Sequence, residues 1–275
     1  TSDGSHSKAE ITPFLGRSSV SIVILESYGH TLFSRDDHWS QIAPSYDRIE
    51  TELSDDGIAV VSSFVESPAF GGRSWLADST ILSGQWLKDQ TTYERSLQSS
   101  QGSLVSAFAQ AGYHTVLVAP GSTYFEEGWL DIYPFQSQFI QGDFGYQGPI
   151  FDFGRITDQW MLYFLSERLK ERREHPVFSV AVSVSSHVPF RVVPPYVENW
   201  DSLGDGSIYH RLDRRRFENN WLQGDEYPEG FIASQEYSLR STVGFLERML
   251  GEHDLAVVLG DHQPRIPIAE PEATY

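Results

Sequence analysis

Ser19 to Gly29 reads SVSIVILESYG. A run of Val, Ile and Leu, broken only by small serines, is followed at once by Glu26, Ser27, Tyr28 and Gly29. Such a run is a buried strand, and the polar cluster marks where the chain leaves the sheet. The same signature recurs further on. Val177 to Val184 reads as a strand that runs into Ser185-Ser186-His187, and Leu255 to Leu259 as one that runs into Gly260-Asp261-His262. Gly57 to Phe64 (GIAVVSSF) and Thr115 to Ala119 are read as two further strands, the latter closed by Pro120-Gly121.

Helical segments lie between them. Ser103 to Gln110 has helical spacing and stops at Gly112. Thr157 to Arg173 is amphipathic: Trp160, Leu162, Phe164, Leu165 and Leu169 supply the apolar side, and Lys170 to Arg173 the wet end. Asp158 and Trp160 begin and pack that helix. Ala233 to Leu250 is another helix, and Leu76 to Leu82 a shorter one. Strands alternating with helices predict an α/β fold, with a mostly parallel central sheet and helices on both faces. Residues 1–18 read as a polar lead or linker and 19–275 as one domain. The stretch Arg191 to Gly230, rich in Pro, Tyr, Asp and Arg, reads as an excursion over the active face rather than as core.

Composition narrows the function. The 275 residues carry 40% hydrophobic side chains and a net charge of −18, enough apolar matter for a large core and a surface that repels phosphate backbones. A nucleic-acid-binding module is therefore not expected. No cysteine is present, which excludes disulfides, thiolate metal sites and thiol nucleophiles. No apolar run approaches the roughly 20 residues that span a bilayer, and the chain opens on a polar stretch, Thr1 to Glu10, without a signal peptide. It reads either as a cytosolic protein or as the soluble part of something longer.

In parallel sheets ligands sit beyond the carboxyl ends of the strands, so Glu26, His187, Asp261 and His262 are the polar residues of interest. To them is added Gly71-Gly72-Arg73-Ser74-Trp75, whose glycines let the backbone bend before a helix. A serine there sits at a helix N-terminus, where free N–H groups favour an anion. Glu26, Ser74, Asp261 and His262 together form an oxygen-rich set with one imidazole. It suits one divalent ion, Mn²⁺ first, with Mg²⁺ or Zn²⁺ as alternatives. Coordination would also lower the pKa of the serine hydroxyl. Each residue has a plainer reading: Glu26 as a turn cap, Ser74 as an N-cap and His187 as a hydrogen-bonded structural histidine. Asp261-His262 is hardest to dismiss, because an acidic pair after Val-Val-Leu-Gly needs a partner if buried. The remaining histidines read mostly as surface residues, and Arg211 to Arg216 as a solvated face with a minor reading as a phosphate binder. Aromatics from Tyr124 to Phe153, with Tyr28, Trp75 and Trp86, are either core or the lining of a headgroup pocket.

The series SIVILESYG, FGGRSWLADSTILSG, SVSSHVPF and AVVLGDHQP, in that order across roughly residues 19 to 264, resembles the sulfatase-like branch of the alkaline phosphatase superfamily. It is nearest to the lipoteichoic acid synthase and phosphoglycerol or phosphoethanolamine transferase type. The resemblance implies an alkaline-phosphatase-like fold and a metal-dependent phosphotransferase or phosphohydrolase. Glu26, Ser74, Asp261 and His262 fall on its metal ligands, Ser74 on its nucleophile and His187 on its substrate-contacting histidine. Arg73 and Trp75 are assigned to substrate binding beside Ser74. The implied substrate is a phosphate ester of phosphodiester or lipid-headgroup class. The implied location is extracytoplasmic, with membrane contact only through segments outside this chain. WLADS after Ser74 departs from the pattern that directs formylglycine formation, which argues against sulfatase chemistry. Two other readings remain: a non-catalytic headgroup-binding or sensor domain on the same fold, and a metal-free serine hydrolase, for which Gly72-Arg73-Ser74-Trp75 lacks the final glycine of a nucleophile elbow.

Overall fold

The computed structural model describes residues 15–98, 102–121, 132–140, 142, 144–171, 175–218 and 228–269. Most of the expected N-terminal lead, part of the aromatic stretch after Tyr124, the Arg172-Arg173 end of the amphipathic helix and part of the Arg191 to Gly230 stretch lie outside them.

Val20–Leu25 forms β1, buried along its whole length. It lies between β4 (Val177–Val182) and β7 (Leu255–Gly260), with β2 (His114–Ala119) and β3 (Ser137–Ile140) completing a five-stranded sheet in the order β3-β2-β4-β1-β7. Every pairing in it is parallel. Alternate residues of β1 serve opposite layers. Val23 and Leu25 pack with Trp160, Leu165, Phe231 and Phe245 on one face. Val20, Ile22 and Ile24 pack with Leu76, Tyr93, Val105 and Phe108 on the other. The expected fold class therefore holds, with helices on both sides of the sheet.

The first of those layers is built by α6 (Asp158–Lys170) and α7 (Pro228–Met249), with α1 (Thr31–Ser34) and α2 (Asp36–Asp55) beside them. The second is built by α3 (Ser74–Ser83), α4 (Gln90–Leu97) and α5 (Leu104–Gln110). Ser103 caps α5 by accepting from Ser106 N, and Thr157 caps α6 by accepting from Trp160 N.

Three expectations need correction. Gly57 to Phe64 is no strand: it pairs with none of the five strands and lies at the surface with Val61 98% exposed. Its Phe64 rests edge-on against Phe33 and His30. His38 is buried rather than on the surface, since it sits on the inner face of α2 with Ile42 and Ser45 and its Nδ1 lies 3.1 Å from Thr31 O. Pro44 within α2 masks that helix in the sequence.

The stretch after Arg191 is also partly core. Val193, Val197, Trp200, Leu203 and Tyr209 are buried. Gln159 of α6 exchanges both its amide bonds with the backbone of Val197, and Trp160 Nε1 donates to Gly204 O. A short antiparallel pair, β5 (Val192–Val193) with β6 (Arg215–Arg216), carries part of this stretch.

Two glycines allow the ends of β1 and β7 to close on each other. A Cβ on Gly260 would lie 1.8 Å from Tyr28 O, and one on Gly29 would lie 2.3 Å from Gln263 Oε1. Gly260→Ala is therefore expected to cost at least about 2 kcal/mol in denaturant unfolding, whereas Val61→Asp should stay within about 0.5 kcal/mol. A large loss for Val61→Asp would restore the segment to the sheet.

Candidate active site

Because the strands are parallel, β1, β4 and β7 deliver their last residues to one edge. Leu25 pairs with Gly260 and Ile24 with Val182, so Glu26, Ser183 and Asp261 emerge side by side. Glu26 N–H donates to Ser183 Oγ at 2.9 Å. Its carbonyl accepts from Ser186 Oγ at 2.7 Å and from Gln235 Nε2 at 3.0 Å. The turn after β4 and helix α7 thus fix the backbone that carries the carboxylate, which is itself buried.

Asp261 is held from its other side. Its Oδ1 accepts from Ser27 N at 2.8 Å and His262 N at 2.7 Å, which leaves Oδ2 facing His262 Nε2 at 3.4 Å. Ser67 Oγ donates to the Asp261 carbonyl. His262 Nδ1 lies 2.7 Å from Gln263 O, an acceptor, so Nδ1 carries the proton and Nε2 is the free nitrogen.

Ser74 arrives from the opposite layer. Phe70 bridges to Gln263 and Gly71 N–H donates to Gln263 O at 3.0 Å, which pins the turn to the chain just past β7. Gly71, Gly72 and Arg73 then take positive φ before α3 starts at Ser74. For Arg73, a non-glycine residue, this left-handed conformation costs on the order of 1 kcal/mol. Ser74 Oγ ends 3.1 Å from Glu26 Oε2 and 3.2 Å from His262 Nε2.

The donor atoms of Glu26, Asp261 and His262 lie within 4.8 Å of one another. Neither carboxylate has a lysine or arginine partner among the described residues; each faces only His262, at 3.5 and 3.4 Å. Burial and the charge of Glu26 push Asp261 up to about 7. His262 is raised too: burial acts to lower it, but the Asp261 and Glu26 carboxylates outweigh that. Two carboxylates, a hydroxyl and an imidazole with a lone pair, all short of positive charge, fit a divalent cation. They do not fit a metal-free triad, since the nitrogen that an orienting carboxylate would hold is bonded to the Gln263 carbonyl.

His187 stands at the rim, within reach of the charges of Asp261 and His262. Its Nδ1 lies 2.6 Å from Val188 O, and its ring stacks on Phe153 at 3.6 Å. Burial is the main influence on its pKa and lowers it. The other two expected residues stay outside this group. Arg73 is exposed, and Trp75, 45% exposed, ties its Nε1 to Gln90 Oε1 at 3.1 Å.

Sequence reasoning gave Asp158 only a helix-starting role. In the structure its Oδ1 accepts from Val184 N and Ser185 N at 2.7 and 2.9 Å, and its Oδ2 accepts from Ser238 Oγ at 2.6 Å. It clamps the turn that leads to His187. No sequence signal marks this, because the partners lie 26 and 80 residues away. Ser27, Ser183, Ser186 and Gln235 were missed for the same reason.

No family model matches the chain, nor does any curated protein. Solved structures do. The fold is shared with the lipoteichoic acid synthase LtaP from Listeria monocytogenes. That likeness has a TM-score of 0.61 at 18% identity, over 94% of this chain and 60% of that one. An alkaline phosphatase superfamily protein from Vibrio parahaemolyticus matches with a TM-score of 0.56 at 16% identity, over 92% of this chain and 56% of that one. The chain thus spans under two thirds of the length of each.

The raised pKa of Asp261 sets the pH dependence. Relative to its ordinary value of 3.8, its contribution to the stability of the cation-free protein is present below about pH 4 and lost as pH rises through about 7. A cation that replaces the proton reverses this. The rise in melting temperature on adding Mn²⁺ should be largest at about pH 8 and shrink steadily toward about pH 5, as measured by thermal unfolding. An increment independent of pH would contradict this charge balance.

Proposed function

We propose that this chain transfers or hydrolyses a phosphate ester, with Ser74 as nucleophile and one divalent cation held by Glu26, Ser74, Asp261 and His262. The observation that carries the reading is the position of Ser74 Oγ, within 3.2 Å of both Glu26 and His262 at the head of a helix. When bound, the cation lowers the pKa of the hydroxyl and offsets charge on the phosphoryl oxygens.

Ser74 Oγ attacks phosphorus in line. The Oγ–P bond forms as the bond to the leaving oxygen breaks, and the proton of the hydroxyl is directed at Glu26 Oε2, 3.1 Å away. N–H groups at the start of α3 face the same region and favour the anionic group. His187 works through Nε2, because Nδ1 is engaged by Val188 O. Protonated against the anionic substrate, it gives its proton to the leaving oxygen. Neutral again, it takes the proton of the water or acceptor hydroxyl that attacks the phosphoserine, the Oγ–P bond breaks, and Ser74 Oγ recovers its proton from Glu26. Arg73 offers its guanidinium to the equatorial oxygens, and the exposed face of Trp75 borders the entering group.

A phosphodiester of lipid-headgroup type is the substrate class favoured by the likeness to a lipoteichoic acid synthase. The same likeness supports an extracytoplasmic setting, with residues 19–275 as the catalytic domain and Mn²⁺ as the first choice of ion. Among the described residues no helix is long and apolar enough to cross a membrane.

A chromogenic phosphodiester tests the proposal. Chelation should abolish turnover and Mn²⁺ restore it. Ser74→Ala should lower kcat by at least about 10³-fold, whereas Ser74→Thr should keep part of it, because the hydroxyl is retained. His187→Ala should lower kcat by about 10²-fold. Full activity in excess chelator, with metal loss verified, would rule the mechanism out.

A further inference from the structure

One turn beyond Ser74 on α3 stands a third carboxylate, Asp78, which the mechanism above does not use. At i,i+4 spacing the two side chains share a face of the helix. Asp78 as a whole is part-buried, but its Oδ1 is sealed from solvent and has no hydrogen-bond partner among the described residues. Burial, followed by the charges of Asp261 and Glu26, raises its carboxyl well above the ordinary range. An orphaned acid oxygen facing two other carboxylates is a costly arrangement, and such a group in a folded protein implies a water or ion that satisfies it.

The position defines how it acts. Asp78 is not part of the group whose donor atoms lie within 4.8 Å of one another, so it does not join Glu26, Asp261 and His262 as a direct ligand. Mn²⁺ and Mg²⁺ keep part of their hydration shell when bound, so a water donor is available at such a centre.

We infer that Asp78 is an outer carboxylate of the cation site, its Oδ1 accepting a hydrogen bond from a water of the bound ion's hydration shell. The inference rests on the reading that Glu26, Ser74, Asp261 and His262 hold a divalent cation. Asp78 is then a positioning residue: it adds charge favouring a divalent ion and holds the open side of the coordination sphere from the same helix that carries the nucleophile.

The test uses the full chain, freed of metal, as wild type, Asp78→Asn and Asp78→Glu. MnCl₂ is titrated into each by calorimetry, and thermal unfolding of each is measured without cation. Asn removes the charge while keeping the shape. It should weaken Mn²⁺ binding by about 10-fold or more, the usual effect of losing an outer-shell partner. Without cation, the same variant should melt no lower than wild type, since a buried carboxylate under repulsion has been replaced by a neutral amide. Glu should recover part of the affinity. If wild type binds Mn²⁺ and Asp78→Asn binds within about 2-fold of it, the inference fails and the cation site stands. If Asp78→Asn melts well below wild type without cation, the role is structural and the inference fails. If wild type binds no divalent cation, the underlying reading fails first.

Discussion

Two buried carboxylates with no lysine or arginine partner among the described residues, at the edge where three parallel strands end, are the constraint around which this structure is organised. Glu26 and Asp261 present donor atoms within 4.8 Å of each other. At an effective dielectric near 20, unit charges that close repel by on the order of 3 kcal/mol. A domain is typically stable by only about 5–15 kcal/mol. Repulsion of that size is not left uncompensated, and within the site only a proton, the His262 imidazolium or a cation can offset it. Protons and His262 do so partly, which is the meaning of the raised Asp261 and His262.

The fold holds these groups in place with backbone rather than with countercharge. Ser27 N and His262 N fix Asp261; Ser183, Ser186 and Gln235 fix the backbone of Glu26. Asp158 fixes the turn before His187 from the far layer. Left-handed conformations at Ser27 and Arg73, each next to a residue of the site, store strain there, and the surrounding bonds offset it. Gly29 and Gly260 let the two loops interleave closely enough for Ser74 to reach both Glu26 and His262. Asp78 stands one turn beyond Ser74 on α3, so the two side chains move as one rigid piece.

Much of this was legible in the sequence because it is local. β1, β2, β4 and β7 are short β-branched runs, and α5 and α6 carry their spacing and caps openly. The convergence of Glu26, Asp261 and His262 follows from a simple rule, that polar residues after parallel strands share an edge; Ser74 joins them from a helix start that Gln263 pins beside β7. Gly57 to Phe64 shows where the rule stops. Its composition is that of a strand, but a strand also needs a partner and a face to bury, and these are properties of the whole chain. α2 was hidden by Pro44, although His38, Ile42 and Ser45 keep helical spacing. The buried aromatics after Arg191 lacked periodicity of their own, since they pack on α6 and α7 rather than within an element. Asp158, Gln235 and the serines that hold the site act across long sequence separations, where spacing carries no signal.

Anomalous diffraction from crystals grown with Mn²⁺ reads the central claim directly. The account predicts one strong peak enclosed by Glu26, Ser74 Oγ, Asp261 Oδ2 and His262 Nε2, at about 2.0–2.3 Å from each. Saturating Mn²⁺ with no peak among these four side chains, or a peak that leaves the Ser74 hydroxyl outside coordination distance, would contradict it.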